Sequence, residues 1–383
     1  LYLFCVGLIW LSLVRAFLTG SMTFTRVLGQ SAFFSLTILA IISRQYFRSD
    51  LKTKLTRRDV LLCLGLFSAV NFALLALGVQ SAALGGNVRS MVGSGDLSAI
   101  FQSIFNVDIS ALNFPLGRGY NAIGSVFGAL IAAAFPFAIS NKQTPFIWSL
   151  AIFGVVSGTI ACISVDAKGA IACGLLFGLA VSISPKILLQ FAPLAVIALP
   201  VVPFVVFILV EVFGLPAVLN MLGIKESFIA GLDQRAIIWG GILAFLRHFS
   251  PMHLIGYGAN GQVASGVVYT YNALIIDIDP QYMTAHNYWL QTILDMGYLG
   301  VVVLWVQYFS VFIRLTSQLR DRNGDDAATR STLALFLYFL ALGVTEALPL
   351  LYSPEMLFVW SLAILQMKSG PRRWQISFAS HTA

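Results

Sequence analysis

The chain has 383 residues, of which 58% are apolar and only 10% are charged. A soluble domain carries roughly 25% charged residues, so this composition excludes an ordinary soluble protein and indicates a polytopic membrane protein. The formal net charge of +7 comes from basic residues spread over short loops between apolar runs, which favours anionic lipid headgroups over nucleic acid as partners. All four cysteines lie in apolar stretches, so neither a disulfide framework nor a cysteine metal site is predicted.

Ten apolar runs are long enough to cross roughly 30 Å of hydrocarbon. They lie at about residues 1–19, 29–46, 60–80, 119–139, 146–164, 169–185, 188–212, 290–313, 331–350 and 353–367. In lipid every backbone amide must be paired within the protein, so helices are the expected state of these runs. The sequence therefore predicts an all-α membrane protein with about ten transmembrane helices. Leu1 lies inside an apolar run, and we expect further residues to precede it.

Basic residues cluster in the segments 44–58, 314–330 and 368–373. By the positive-inside rule these segments face the cytoplasm, which makes both termini cytoplasmic. The longer segments 81–118 and 213–289 then lie on the outer side. We find no internal repeat or long linker, so the chain is interpreted as a single membrane domain with an extracytoplasmic cap formed by the second of these segments.

The cap contains one segment with helical periodicity, Gln234 to His248. Arg235 falls in the first turn of this predicted helix. Its apolar face repeats at helical spacing and consists of Ile238, Trp239, Ile242, Leu243 and Leu246.

The polar pair His286-Asn287 enters an apolar run at the end of the cap, and Leu290, Gly297 and Gly300 follow it. A histidine at a bilayer surface can exchange a proton near neutral pH while it is sheltered from bulk water. Upstream, Arg235 and Trp239 precede Pro251, Gly256 and Gly258. In order and spacing this pattern, over about 230–315, resembles the O-antigen ligase and O-antigen polymerase superfamily.

Two weaker elements extend the resemblance. The family has a Ser-Arg-Gly-Ala-like turn that opens a helix, and Ser164 to Ala170 matches it with Lys168 in place of arginine. Lysine can neutralise a phosphate but cannot form the planar two-bond contact of arginine. Arg118 and Asn121 match the family's Arg-then-Asn pattern before the fourth span.

The resemblance implies a glycosyltransferase that moves a glycan from undecaprenyl pyrophosphate to an acceptor glycan or to lipid A-core, outside the bacterial inner membrane. The motifs serve a ligase and a polymerase equally. Other expected partners are membrane lipids and a regulator of chain length. No cofactor is expected, because the lipid pyrophosphate already activates the donor. The only Asp-x-Asp spacing, at Asp277 and Asp279, is interpreted as chance, so the reaction is expected to be metal-independent. Direct in-line displacement would invert the anomeric centre.

Within this hypothesis His286 is the candidate general base, although it could instead orient the pyrophosphate. Fixed cations near a leaving pyrophosphate stabilise the transition state, and Arg235, Lys168 and Arg118 are the candidates. Glu346 and Asn287 are expected to support this site.

Each candidate also has an ordinary structural interpretation. His286 could cap a helix, Arg235 could extend to lipid headgroups, and Lys168 could form a local ion pair with Asp166. Glu346 is an ionisable group at membrane depth that could simply pair with an arginine.

Three further groups are assigned no catalytic role. Asp295 is expected to make a helix-packing hydrogen bond, and His248 and His253 are expected to be solvated loop residues.

The alternative function is a polysaccharide or lipid transporter or flippase. It is disfavoured because the polar residues concentrate at the outer face rather than at the bilayer midplane.

Overall fold

A computed structural model describes residues 2–25, 59–79, 96–106, 120–140, 143–183, 226–275, 284–321 and 327–346, with scattered single residues between them. These residues contain helices and no strand, which confirms the all-α prediction. The helices are α1 (Tyr2–Leu18), α2 (Asp59–Ala76), α3 (Asp96–Phe105), α4 (Tyr120–Ile139), α5 (Pro145–Ser164), α6 (Lys168–Ile183), α7 (Glu226–Arg247), α8 (Met252–Ile255), α9 (Gly261–Ala264), α10 (Val268–Ile275), α11 (Tyr288–Asp321) and α12 (Ala327–Thr345).

Three of these helices are long and apolar enough to cross a membrane: α5, the stretch Tyr288–Ile313 of α11, and α12. Shorter apolar helices occupy Gly7–Leu18, Leu61–Ala76, Ile123–Ile139 and Lys168–Ile183. Together they coincide with seven of the ten predicted spans. The predicted spans 29–46, 188–212 and 353–367 fall almost entirely outside the described residues, so the total of ten stays a prediction.

The outward faces of these helices are apolar. On α5, Phe146 is 67% and Trp148 is 49% exposed, and on α11, Val302 is 53% exposed. Soluble proteins rarely expose contiguous apolar surface of this kind. The packing therefore agrees with a helix bundle whose outer surface faces lipid.

The bundle packs around α4 and α12, and α12 is buried on nearly all its faces. Close approach of α4 and α6 depends on small residues. A Cβ added to Gly174 would lie 2.7 Å from the carbonyl oxygen of Gly128, so the two backbones touch directly. Small residues at helix interfaces are typical of membrane bundles, in which packing replaces the hydrophobic driving force.

Helices α6 and α12 run antiparallel, which defines two ends of the bundle. At one end Arg330 donates from Nη1 to the carbonyl of Ser182, 3.0 Å away, near the last turn of α6. At the other end Gly169, in the first turn of α6, lies beside Thr345: a Cβ added to Gly169 would be 3.6 Å from Thr345 Oγ1. The 19 residues of α12 separate these ends by roughly 28 Å.

The cap has its own apolar cluster, built from α7, α10 and the first turns of α11. Ile238, Trp239 and Ile242 are buried in it, as the periodicity of the sequence predicts. The predicted start of the cap helix is wrong, because α7 begins at Glu226, about two turns before Gln234. Arg235 consequently lies well inside the helix rather than in its first turn. The apolar periodicity of the sequence identifies only the turns that pack against the cluster. The backbone hydrogen bonds of the helix extend further toward its N-terminus.

Helix α11 is broken at Gly297, where φ is +73° and ψ is −176°. A continuous helix would use the carbonyls of Leu294 and Asp295 for amides four residues later. Here they accept instead from the amides of Tyr257 (2.7 Å) and Gly258 (3.0 Å). A Cβ at Gly256 would collide with the Asp295 carbonyl. The loop between α8 and α9 can therefore pack against the break only if residue 256 is glycine. The glycines of the sequence motif thus join cap and bundle.

Candidate functional site

His286 lies two residues before the start of α11 in a left-handed backbone conformation, with φ of +44°. Asn287, fully buried, caps the helix: its Oδ1 accepts from the amide of Leu290 at 3.0 Å. Its Nδ2 donates to the carbonyl of Val344 at 2.9 Å, in the last turn of α12. One side chain therefore caps α11 and ties its start to the end of α12.

The residue before His286 is also held in place. Trp239 of α7 is buried and donates from its indole Nε1 to the carbonyl of Ala285 at 2.9 Å. A left-handed conformation costs a residue with a side chain roughly 1–2 kcal/mol. Such strain persists only where the surroundings fix the backbone, and it concentrates at functional sites. The neighbours of His286 supply that constraint from both sides.

Three ionisable side chains from separate parts of the chain meet here. Glu346, directly after α12, places Oε1 3.5 Å from Nη2 of Arg235 on α7. Its other oxygen, Oε2, lies 3.9 Å from Nδ1 of His286. The Glu346 side chain is 18% exposed, and those of Arg235 and His286 are each 32% exposed. The Arg235–Glu346–His286 cluster is thus partly sheltered and remains open to solvent or ligand.

The cluster places a carboxylate beside one imidazole nitrogen. The 3.9 Å separation is longer than a hydrogen bond, so the carboxylate acts on the imidazole through charge and orientation. A proton on Nδ1 facing Glu346 leaves Nε2 as the basic nitrogen of a neutral imidazole. Arg235 has five N–H donors, and the contact with Glu346 engages one nitrogen. The arrangement can therefore accept a proton and hold an anion at the same place.

Lys168 opens α6 at this end of the bundle, and its Nζ lies 3.5 Å from Oδ2 of Asp166. The local ion pair that the sequence offered as the alternative is therefore present. The Lys168 side chain is half exposed, and the next residue, Gly169, is the one that lies against Thr345 beside Glu346. The segment thus lies beside the cluster, and a role in binding phosphate stays a prediction.

The other metal and anion candidates fall outside the described residues. Arg118, Asp277 and Asp279 all do so. Among the side chains that the structure does describe, no group of three or more His, Cys, Asp or Glu residues is arranged to hold a metal ion.

The structural role expected for Asp295 is confirmed. It is buried, and its Oδ1 accepts from the amide of Gly261 at 2.7 Å. His248 is exposed, as expected.

The expectation for His253 is wrong, because this side chain is 1% exposed. It packs in α8 against Phe245, Phe249 and Tyr257. Its Nδ1 accepts from the amide of Ser250, and burial lowers the pKa of its imidazole below the ordinary value.

Two supporting residues were missed by the sequence analysis in these roles. Trp239 was assigned to the apolar face of its helix and to the motif order, whereas its indole N–H also holds the turn before His286. Gln291, described below, was not considered. A signal for it exists: Asn287, Gln291 and Asp295 recur every four residues on one side of an otherwise apolar helix.

The chain matches no known protein-family model and no curated protein.

Proposed function

We propose that the protein is a membrane glycosyltransferase of the O-antigen ligase or polysaccharide polymerase type. It transfers a glycan from undecaprenyl pyrophosphate to an acceptor sugar on the outer side of the bacterial inner membrane. The observation that carries the proposal is the Arg235–Glu346–His286 cluster, in which a cation and a proton acceptor from separate helical elements share one carboxylate. Two of its residues, Arg235 and His286, belong to the motif order that resembles this family.

The donor half of the reaction needs positive charge. As the bond between C1 of the sugar and the pyrophosphate oxygen breaks, the leaving group gains negative charge, and a fixed guanidinium stabilises that charge most in the transition state. Arg235 supplies this cation, and Glu346 holds it in place at 3.5 Å. Lys168 and Arg118 are the additional cations that the proposal assigns to the pyrophosphate.

The acceptor half needs a base. The acceptor hydroxyl oxygen forms the new bond to C1, and its proton passes to Nε2 of His286. General-base assistance of this kind is typically worth roughly 10²- to 10⁴-fold. In-line attack on C1 inverts the anomeric centre. Asn287 contributes by fixing the turn that carries His286 to the end of α12.

The placement of the cluster supports an outer-face site. The cluster lies at the end of the bundle that also carries the cap, whereas Arg330 lies roughly one membrane thickness away at the other end. By the positive-inside rule the Arg330 end faces the cytoplasm, so the cluster faces the periplasm or exterior. A lipid-linked glycan presented at that surface reaches the cluster without crossing the membrane.

The test is transfer by the purified protein in lipid nanodiscs, supplied with undecaprenyl-pyrophosphate-linked glycan and an acceptor glycan. His286→Ala and Arg235→Ala should each lower the transfer rate by about 10²-fold or more, and Arg235→Lys should retain more activity than Arg235→Ala. The matched controls are His248→Ala and Arg247→Ala, since both residues are exposed and lie on or just after the same helix as Arg235. Wild-type rates in the His286 and Arg235 variants would refute the assignment.

Three additional arms test the details. Lys168→Arg should keep activity, and Lys168→Ala should lose it unless the residue serves only its pair with Asp166. Transfer should survive EDTA and need no nucleotide; a rate that falls with chelator and returns with magnesium would place a metal in the site. Vesicle uptake of glycan without a longer product would favour the transporter instead.

A further inference from the structure

Gln291 lies one turn into α11, is 3% exposed, and uses both ends of its amide. Its Oε1 accepts from the backbone amide of Ala285 at 3.0 Å. Its Nε2 donates to Oδ1 of Asp295 at 2.9 Å and to Oε1 of Gln262 at 2.6 Å. Gln291 therefore joins the residue before His286 to the helix break and to α9 of the cap.

The direction of this amide is fixed by its partners. The Asp295 oxygen accepts from the nitrogen end of Gln291. The backbone amide of Ala285 can only donate, so it selects the oxygen end. The same Asp295 oxygen also accepts from Gly261, which holds Asp295 itself in place. The side-chain network has one arrangement in which all of these groups are paired.

The network fixes the backbone of the residue that precedes His286. Ala285 has its N–H held by Gln291 and its C=O held by Trp239. His286 then enters the left-handed region, and Asn287 starts the helix. The peptide plane between Ala285 and His286 sets the direction in which the His286 side chain leaves the backbone. A shift of the Ala285 backbone would therefore move the imidazole relative to Glu346.

We propose that Gln291 is a positioning residue: by holding the Ala285 amide, it keeps His286 in the strained turn that places its imidazole beside Glu346. This inference rests on the proposed function, because it assigns Gln291 a role in the rate of that transfer. Gln291 itself is buried beneath the turn and contacts neither Arg235 nor Glu346 through the bonds it makes. Its effect reaches the reaction only through His286.

The test compares Gln291→Met, which keeps the length of the side chain and removes its hydrogen bonds, with Gln307→Met. Gln307 is a matched control, as it is also buried on α11 but lies about four turns further along. We expect Gln291→Met to lower kcat by about 10²-fold while KM for the lipid-linked donor stays within about threefold of wild type, because a misplaced base affects the chemical step and not donor binding. Gln307→Met should change neither by more than about threefold.

A double-mutant cycle separates positioning from general loss of structure. If Gln291 acts through His286, then adding Gln291→Met to His286→Ala should lower the residual rate by less than about threefold. A second variant tests the network without changing Gln291: Asp295→Asn keeps an Oδ1 that can accept from both the Gly261 amide and Gln291 Nε2. It should transfer at least about tenfold faster than Gln291→Met.

Three results would overturn the inference: wild-type kcat in Gln291→Met, a loss carried by KM, or a further large loss on the His286→Ala background. These are distinct from failure of the proposed function, in which wild type makes no product or His286→Ala is as active as wild type. Unfolding temperatures of each purified variant accompany the rates, and equal temperatures with unequal kcat support positioning.

Discussion

Asn287 gives the most specific prediction about the site, because one of its hydrogen bonds caps a helix and the other joins two helices. Its Oδ1 caps α11 at Leu290, and its Nδ2 ties α11 to Val344 of α12. Losing an N-cap costs about 1 kcal/mol, and losing a net hydrogen bond to a carbonyl costs about another 1 kcal/mol. Asn287→Ala should therefore lower the free energy of unfolding by about 2 kcal/mol. Asn287→Ser keeps the cap and should lose about 1 kcal/mol.

The measurement is denaturant unfolding in mixed micelles, together with the rate of transfer. Thr144→Ala is a suitable control, because Thr144 caps α5 through the amide of Ile147 at 3.5 Å and, among the described residues, makes no hydrogen bond to another helix. It should lose at most about 1 kcal/mol and keep its activity. Asn287→Ala should also lose activity, since the tie brings His286 to Glu346. The reasoning is refuted if Asn287→Ser is as unstable as Asn287→Ala, or if Asn287→Ala loses no more than Thr144→Ala.

Three further predictions follow from the backbone and from a buried histidine. Gly256 and Gly266 both have positive φ, but a Cβ at Gly256 would meet the backbone of α11, whereas a Cβ at Gly266 would meet nothing within 4 Å. Gly266→Ala should therefore lower the free energy of unfolding by about 1–2 kcal/mol, and Gly256→Ala by about 2–5 kcal/mol, in the same unfolding assay. His286→Gly should be more stable than His286→Ala by about 1 kcal/mol, and equal stabilities would show that the turn is unstrained. Burial lowers the pKa of His253 below its ordinary value of 6.5, so the unfolded chain takes up that proton first and stability should fall as pH drops below about 6.5. His253→Phe should reduce the dependence of the free energy of unfolding on pH below about 6.5. If the dependence is unchanged, groups other than His253 cause it.

Local features of the chain were predictable because they depend on neighbours in sequence. The start of the helix after His286 was placed to within two residues, because an apolar run in lipid is expected to be helical. The apolar face of α7 was also predicted correctly, as its period reports directly on the packed side. The start of α7 was missed, because the turns before Gln234 carry no such period.

The assembly of the site depends on contacts between distant segments. For Glu346 the sequence offered a pairing with an arginine, and the partner is Arg235, more than a hundred residues earlier in the chain. That the same carboxylate also lies beside His286 follows from the tie between Asn287 and Val344, which no local pattern encodes. The loop that follows α8 is likewise held by distant contacts, because the amides of Tyr257 and Gly258 donate to the carbonyls of Leu294 and Asp295. Pairings of this kind are set by tertiary packing.

The polar residues at the start of α11 are more costly to bury than apolar side chains would be. A membrane helix that needed only to fill space would use apolar side chains, because buried polar groups must each be paired at a cost in desolvation. Here Asn287, Gln291 and Asp295 are all buried and bonded, and the residue that they support, His286, is held in a strained conformation. Sequences depart from local rules mainly where function requires it. The strain and the buried polar network coincide at one turn, and the side chain at that turn faces the carboxylate that also holds Arg235. We infer that both serve to place this imidazole.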